Sequence, residues 1–458
     1  MSKYIANKKF YVRVLMIALP IMAQNGISNF VNLLDNIMIG SVGTEPMSGV
    51  SIVNQLLFVF ILCLFGAVSG GGILGAQYYG KGNMKGVRDV LRIKIIVALF
   101  LTATAIVVLW VFGEDLISIF LKEDDMSGSI TDTLRYGKEY LTVMFIGLPP
   151  LAVEMCYSST LRESGQTKIP MLASIAAVFV NLTLNYILIF GHFGAPKLGV
   201  TGAAIATAVS RYIAMFIVVI WTHRNPEKNP YIVGLYKHFS VPVKMFGKVV
   251  WLSLPLLFNE TLWAAGTTAV NSCYAQRGLS VVAALSIQST IYNIFNIMFI
   301  AMGDSIAIIV GQQLGAGEID EAKDSSRKII VMSVAFGALG GLMMFPISFI
   351  FPEAFNTTEQ VKDIAGTLIR ITSCFVPIHG FLHAMYFAIR SGGKTFITFL
   401  FDSCYLWVIV FPFAFVLSHF TDIDIMYLFM ACQSLDLIKI VIGMLIYRSG
   451  VWAKNITI

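Results

Sequence analysis

The chain has 458 residues, of which 57% are hydrophobic and only 13% charged, about half the charge that a soluble protein uses to coat its surface. That composition excludes a water-soluble enzyme or binding module in favour of a protein immersed in lipid. The formal net charge of +6 is accounted for by bases gathered in short loops, so it gives no ground for a nucleic-acid partner.

Runs of roughly 20 apolar residues are long enough to cross about 30 Å of hydrocarbon, where the backbone must satisfy its own hydrogen bonds as helix. Twelve such spans are predicted, at approximately 13–39, 47–77, 93–113, 140–162, 168–191, 199–222, 246–275, 281–311, 328–351, 367–390, 396–418 and 425–447. An even count places both termini on one side. Lys8, Lys9, Lys81, Lys85, Arg88, Arg224, Lys228 and Lys237 fall at the termini and in even-numbered loops, whereas the odd-numbered loops hold few bases, among them Lys197 and Arg277. The positive-inside bias therefore predicts a multi-pass protein of the plasma membrane with both ends in the cytoplasm. The first apolar run is too long for a cleaved signal peptide and is read as a span.

From Leu15 onward the sequence overlays its own continuation from Val250 at a constant shift of 235. Pro20 falls on Pro255, Asn36 on Asn271, Gly43 on Gly278, Gln77-x-x-Gly80-x-Gly82 on Gln312-x-x-Gly315-x-Gly317, and Arg92 on Arg327. A second register, shifted by 228, brings Pro149 onto Pro377, Arg162 onto Arg390, Gly165 onto Gly393 and Thr167 onto Thr395. The chain is thus expected to be an all-α integral membrane protein of twelve helices in two pseudo-symmetric six-helix bundles. Residues 1–222 form the first, 246–458 the second, and 223–245, with Pro226 and Pro230, a cytoplasmic linker. Parallel repeats of this kind are the design of a secondary transporter.

Soluble chemistry has no place to sit. The six cysteines all lie in predicted helices without a C-x-x-C pair, and His379 and His383 lack the glutamate of H-E-x-x-H. No phosphate-binding G-x-x-x-x-G-K-[ST] occurs, and Gly70-Gly71-Gly72 sits inside a span, where close helix packing explains it. Neither an enzyme nor a bound cofactor is expected, and the driving energy is assigned to an ion gradient.

The informative residues are charges kept at membrane depth, since each costs about 3 kcal/mol to insert and must face protein or water. They are Asp35, Glu154, Arg211, Glu260, Asp304, Asp402, Asp436 and Lys439. Asp35 lies in the outer half of the first span, far from any cytoplasmic base, and suits either a carboxylate neutralised by a cation or a proton or a structural hydrogen bond to a neighbouring helix. Asn181 and Asn185, one turn apart on the fifth span, supply either interhelical hydrogen bonds or oxygens for a hard cation. Glu260 follows Pro255 by five residues, where the helix is loosened, and suits binding a cationic substrate or exchanging a proton, or else pairing with a Lys or Arg elsewhere in the bundle. Asp402 stands among aromatics able to stack on an organic cation. Asp436 and Lys439, spaced i to i+3, are expected to neutralise one another.

The runs Leu34-Asp-Asn-Ile-Met-Ile-Gly40, Gln77-Tyr-Tyr-Gly-Lys-Gly82, Gln312-Gln-Leu-Gly-Ala-Gly317, Leu161-Arg-x-x-Gly165 and Leu198-Gly-Val-x-Gly-Ala-Ala-x-Ala-Thr207 resemble the multidrug and toxic compound extrusion (MATE) family over nearly the whole chain. That resemblance implies a twelve-helix antiporter exchanging Na+ or H+ for cationic amphiphiles. It implies a cation or proton site at Asp35, Asn181, Asn185 and Thr207, with Na+, if used, held at Asp35, Asn181 and Asn185, and a seventh-helix acid at Glu260. Some members carry an aspartate in an Arg-Gly-x-Lys-Asp-Thr element; this chain has Lys394 there, and Asp402 is the candidate replacement. Small organic cations and the bilayer are the expected partners of a monomer. A lipid-linked oligosaccharide flippase of the same superfamily is the second reading, a membrane enzyme or receptor the third.

Overall fold

The computed structural model describes residues 5–121, 129–237 and 240–457, apart from the side chains of Asn32 and Leu33. Twelve long helical rods follow in chain order: α1 Lys8–Gly40, α2 Thr44–Gly80, α3 Met84–Ser118, α4 Ile130–Glu163, α5 Lys168–Phe190, α6 Gly199–Arg224, α7 Val243–Ala275, α8 Leu279–Ala316, α9 Ile319–Ile347, α10 Glu359–Ser391, α11 Thr395–Phe420 and α12 Ile425–Arg448. Among the described residues, eleven are long and apolar enough to cross a membrane; α7, at 33 residues, has the length, but Asn259, Glu260, Thr267 and Thr268 dilute its apolar character. No strand occurs among the described residues.

Large apolar side chains face outward along these rods, including Phe100 at 69% exposure, Trp110 at 76% and Leu342 at 73%. A soluble helix hides such residues along one stripe, whereas a rod apolar on all sides belongs in hydrocarbon. Prolines recur at equivalent places in the repeat: Pro20 in α1 and Pro255 in α7, Pro149 in α4 and Pro377 in α10.

By packing, the chain forms two compact units. One comprises Met1–Met22, Ala76–Gly82 and Leu254–Ile458; the other comprises Ala23–Gly75 and Asn83–Ser253. They depart from the division of the chain at 222 and 246 because the opening of α1 and the end of α2 are built into the unit of the later helices. Gln77 shows why for α2. Fully buried, it donates from Nε2 to the carbonyls of Ser391 (2.9 Å) and Lys454 (3.1 Å), and its Oε1 accepts from the Ile456 N–H (2.7 Å). The backbone there is equally close. A Cβ on Gly80 would lie 1.9 Å from the Gln312 carbonyl oxygen, and one on Gly315 would lie 1.9 Å from that of Gln77. The two copies of the repeated Gln-x-x-Gly element thus rest on one another reciprocally, which only glycine permits.

In the other unit, the segment between α6 and α7 is docked onto α3. Arg92 donates to the carbonyls of Leu235 (2.7 Å) and Gly234 (2.6 Å) while pairing with Asp89 (2.9 Å), and Arg88 donates to Tyr231 O (3.0 Å). In the glycine run of α2, Gly70 serves close helix contact, since a Cβ there would lie 2.5 Å from the Ser253 backbone of α7, and its neighbours have a further use. Where Gly71 lacks a side chain, the Lys94 stem passes at 2.8 Å from the missing Cβ, and Gly72 and Gly75 clear room for the Glu163 carboxylate. Lys94 and Glu163 meet there at 2.5 Å with side-chain exposures of 0% and 8%, joined by Ser159 and Thr160.

Removing one member of a buried ion pair strands the other charge, at a cost of about 3–5 kcal/mol. Lys94→Met is therefore expected to lower the thermal stability of the purified protein strongly, and Lys94→Met with Glu163→Gln to recover most of the loss. A double-mutant cycle in detergent with no recovery would contradict this account.

Candidate ion site in the first bundle

Helix α1 delivers Asp35 five residues before its end, and α5 runs beside it in the same direction. Two hydrogen bonds pin the seam: Gln24 Nε2 donates to Ser174 Oγ at 2.9 Å and Asn185 Nδ2 to Asp35 Oδ1 at 2.6 Å. Both pairs are separated by 150 positions, so they lie 11 residues apart on each helix, three turns or about 16 Å. Parallel alignment in one register is what lets both bonds form.

Asn181, Asn185 and Ile189 follow one another at single-turn intervals on the buried stripe of α5, the two amides at 4% and 1% exposure. This spacing makes a relay. Asn185 Nδ2 also donates to Asn181 Oδ1 at 3.2 Å, and Asn181 Nδ2 donates to Thr207 Oγ1 of α6 at 3.3 Å. Donors are spent on neighbours, and the Asn185 Oδ1 oxygen is left buried with no hydrogen-bond partner among the described residues. None of the ion pairs among those residues involves Asp35. The four predicted residues are therefore together: a partly buried carboxylate without a basic partner, two amide oxygens and a hydroxyl, a donor set suited to a hard cation or to a proton.

Two further residues complete this region. Tyr140 of α4, 4% exposed, donates to Asn54 Oδ1 at 3.2 Å and lies within electrostatic reach of both Asp35 and Arg211. No spacing in the sequence singles it out, because it is brought in by a helix distant along the chain. Arg211 stands one turn beyond Thr207 on α6, its Cδ packed against the open face of Gly147 on α4.

In the second bundle, Glu260 lies within electrostatic reach of Arg390 and Asp402, and Asp402 is already partnered. Lys439 Nζ lies 2.8 Å from its Oδ1, and Asn259 Nδ2 donates to its Oδ2 at 3.1 Å. Asn259 is held in turn by Tyr386 and Ser403. Around Asp402 the helix α11 widens into π-helical turns at Leu400–Cys404 and Leu406–Val410, a distortion frequent where a helix presents a functional side chain. The aromatics flanking Asp402 already hold a cation: Lys439 Nζ sits 5.2 Å from the Phe401 ring centre and 5.8 Å from that of Tyr405. The expected pairing of Asp436 with Lys439 is not formed. Asp436 faces His379 Nε2 at 3.3 Å instead, because α10 and α11 offer closer partners than the next turn of α12. No group of three or more His, Cys, Asp or Glu side chains able to hold a metal occurs among the described residues.

The two bundles use one seam differently. At a shift of 235 Gln24 corresponds to Asn259, and at 228 Ser174 corresponds to Asp402. The inner hydrogen bond is therefore neutral in the first bundle and charged in the second. The outer pair, Asp35 with Asn185, corresponds to Val270 and Phe413, so in the second bundle that level is apolar.

A family model named MatE matches residues 20–187 and again 255–416. The chain is 26% identical over 451 residues, 96% of this chain and 93% of the relative, to the probable multidrug resistance protein NorM of Thermotoga maritima. It is 24% identical to the probable multidrug resistance protein YoeA of Bacillus subtilis, covering 89% and 87% of the two chains. Among solved structures, the Vibrio cholerae MATE transporter VcmN in its bent form superposes with a TM-score of 0.85 at 18% identity, covering 96% and 97%. A transporter of the MOP superfamily from Pyrococcus furiosus, described as having a binding pocket of reverse polarity, superposes at 0.85 with 17% identity and 95% coverage of both chains. These structural likenesses show the fold, and the family match at both halves repeats the internal duplication. The chain belongs to the MatE family and is a multi-pass membrane transporter rather than an enzyme.

Proposed function

We propose that the protein is an antiporter that exports cationic amphiphilic compounds in exchange for Na+ or H+, working as a monomer in the plasma membrane with both termini cytoplasmic. The observation that carries this reading is the state of Asp35: among the described residues, this carboxylate at membrane depth takes a hydrogen bond from the Asn185 amide and has no basic partner, and the Asn185 oxygen is buried without a donor. Such a group is costly in hydrocarbon unless a mobile cation visits it. The multidrug-resistance names of the relatives support the substrate class.

The coupling ion neutralises Asp35 and draws the oxygens of Asn185, Asn181 and Thr207 toward itself. Neutralising that charge changes how α1 packs on α5 and so shifts the balance between outward- and inward-facing states. An organic cation competes for the same negative charge, which makes ion and substrate occupancy alternate. Glu260 serves as the second-bundle acid that meets substrate, while Asp402, held by Lys439, keeps α11 and α12 in register.

Three outcomes follow. Asp35→Asn in proteoliposomes is expected to abolish uptake of a fluorescent organic cation driven by either an imposed Na+ gradient or an imposed H+ gradient; undiminished transport under either one would overturn the coupling role. Glu260→Gln should raise the apparent KM for the cation about tenfold, equivalent to roughly 1.4 kcal/mol, with its ion dependence kept. Asp402→Asn should instead lower thermal stability by about 3 kcal/mol or more by stranding Lys439. Equal effects of these two substitutions on KM would contradict the division of roles.

A further inference from the structure

Arg211 lies midway along the 26-residue α6, where a guanidinium is furthest from water at either end. Its Nη1 is buried and has no hydrogen-bond partner among the described residues. It takes part in none of the ion pairs found among them. Yet the residue as a whole is partly exposed and sits one turn from Thr207, so it borders the proposed ion site without being sealed inside the helix packing. Structural arginines at membrane depth are paired with an acid or with carbonyls; this one is held in place by packing against Gly147 while its donor remains open.

The second bundle shows what closes such an arrangement. There the membrane-depth base is Lys439 on α12, the counterpart of α6, and it is neutralised by Asp402 at 2.8 Å. The position of Asp402 is occupied in the first bundle by Ser174, so no acid stands at that place beside the guanidinium, and the acid of this bundle, Asp35, forms no ion pair with it among the described residues. The same bundle keeps two open acceptors: Asn185 Oδ1 and Gln24 Oε1 are both buried without partners among the described residues. One set of groups therefore asks for an anion and another for a cation.

We infer that Arg211 is a binding residue for a carboxylate carried by the exported compound, so that the transporter prefers zwitterionic amphiphiles, with a cationic nitrogen and a carboxylate, over cations that lack the acid. This narrows the substrate class proposed above and rests on that proposal. A guanidinium meets a carboxylate through two parallel N–H donors, a geometry that an ester cannot accept with the same charge. The open Nη1 then gains its missing acceptor only when substrate is present.

The test uses two dyes that share a chromophore: zwitterionic rhodamine B, with a free carboxylate, and its cationic ethyl ester. Binding to the full-length protein in detergent is measured by fluorescence anisotropy at fixed pH and salt. The wild type is expected to bind the acid about tenfold more tightly than the ester, Arg211→Gln to lose that preference, and Arg211→Lys to retain much of it. Three results would each overturn the inference: equal affinities in the wild type, an acid-to-ester ratio unchanged by Arg211→Gln, or a loss of both dyes in equal proportion in Arg211→Gln and Arg211→Lys alike, which marks a structural role. A parallel measurement of gradient-driven ester transport by wild type and Asp35→Asn separates this from the broader proposal. If Asp35→Asn abolishes that transport while the dye ratio ignores Arg211, antiport stands and carboxylate recognition falls.

Discussion

Every polar group that this chain keeps inside hydrocarbon must find its partner within the protein, because no water is there to supply one. The architecture answers that requirement in two ways. Lys94 with Glu163 and Lys439 with Asp402 are closed pairs, wrapped by hydroxyls, amides or aromatic rings, and they hold helices together. Among the described residues of one bundle, Asp35 has no base to pair with, and Asn185 Oδ1 and Arg211 Nη1 have no hydrogen-bond partner. The distinction between closed and open groups, rather than the mere presence of charge, separates structure from the proposed transport chemistry.

Duplication makes that distinction visible. A pair of parallel helices recurs in both bundles, α1 beside α5 and α7 beside α11, and each pair is joined by an inner hydrogen bond from an amide, Gln24 to Ser174 and Asn259 to Asp402. The second bundle places its acid at this inner level and matches it with a base. The first moves its acid three turns outward, to Asp35, and leaves the inner level neutral. Identical scaffolds have thus been given different electrostatic content, so each bundle serves as the control for the other.

The same logic governs the glycines. Gly80 and Gly315 let two copies of one motif touch through their backbones, whereas Gly71, Gly72 and Gly75 open a slot for a lysine and a glutamate that arrive from α3 and α4. In both places the missing side chain matters for what it admits. Helix propensity alone would have disfavoured these residues.

The sequence by itself determined the all-helical membrane class, the duplication and the common face of Asn181 and Asn185. Hydrophobic run length is a local property, a constant shift is a property of the string, and Asn181 and Asn185 share a helix face whatever surrounds them. Tertiary structure alone decided the partners. Lys439 had Asp436 within one turn, yet it pairs with Asp402 from another helix, and Lys94 meets Glu163 across 69 positions. Tyr140 and the open donor of Arg211 carry no signal in their neighbours along the chain. Pairing in a low-dielectric interior is settled by which groups the packing brings within a few ångströms, and that distance is set between helices, not along them.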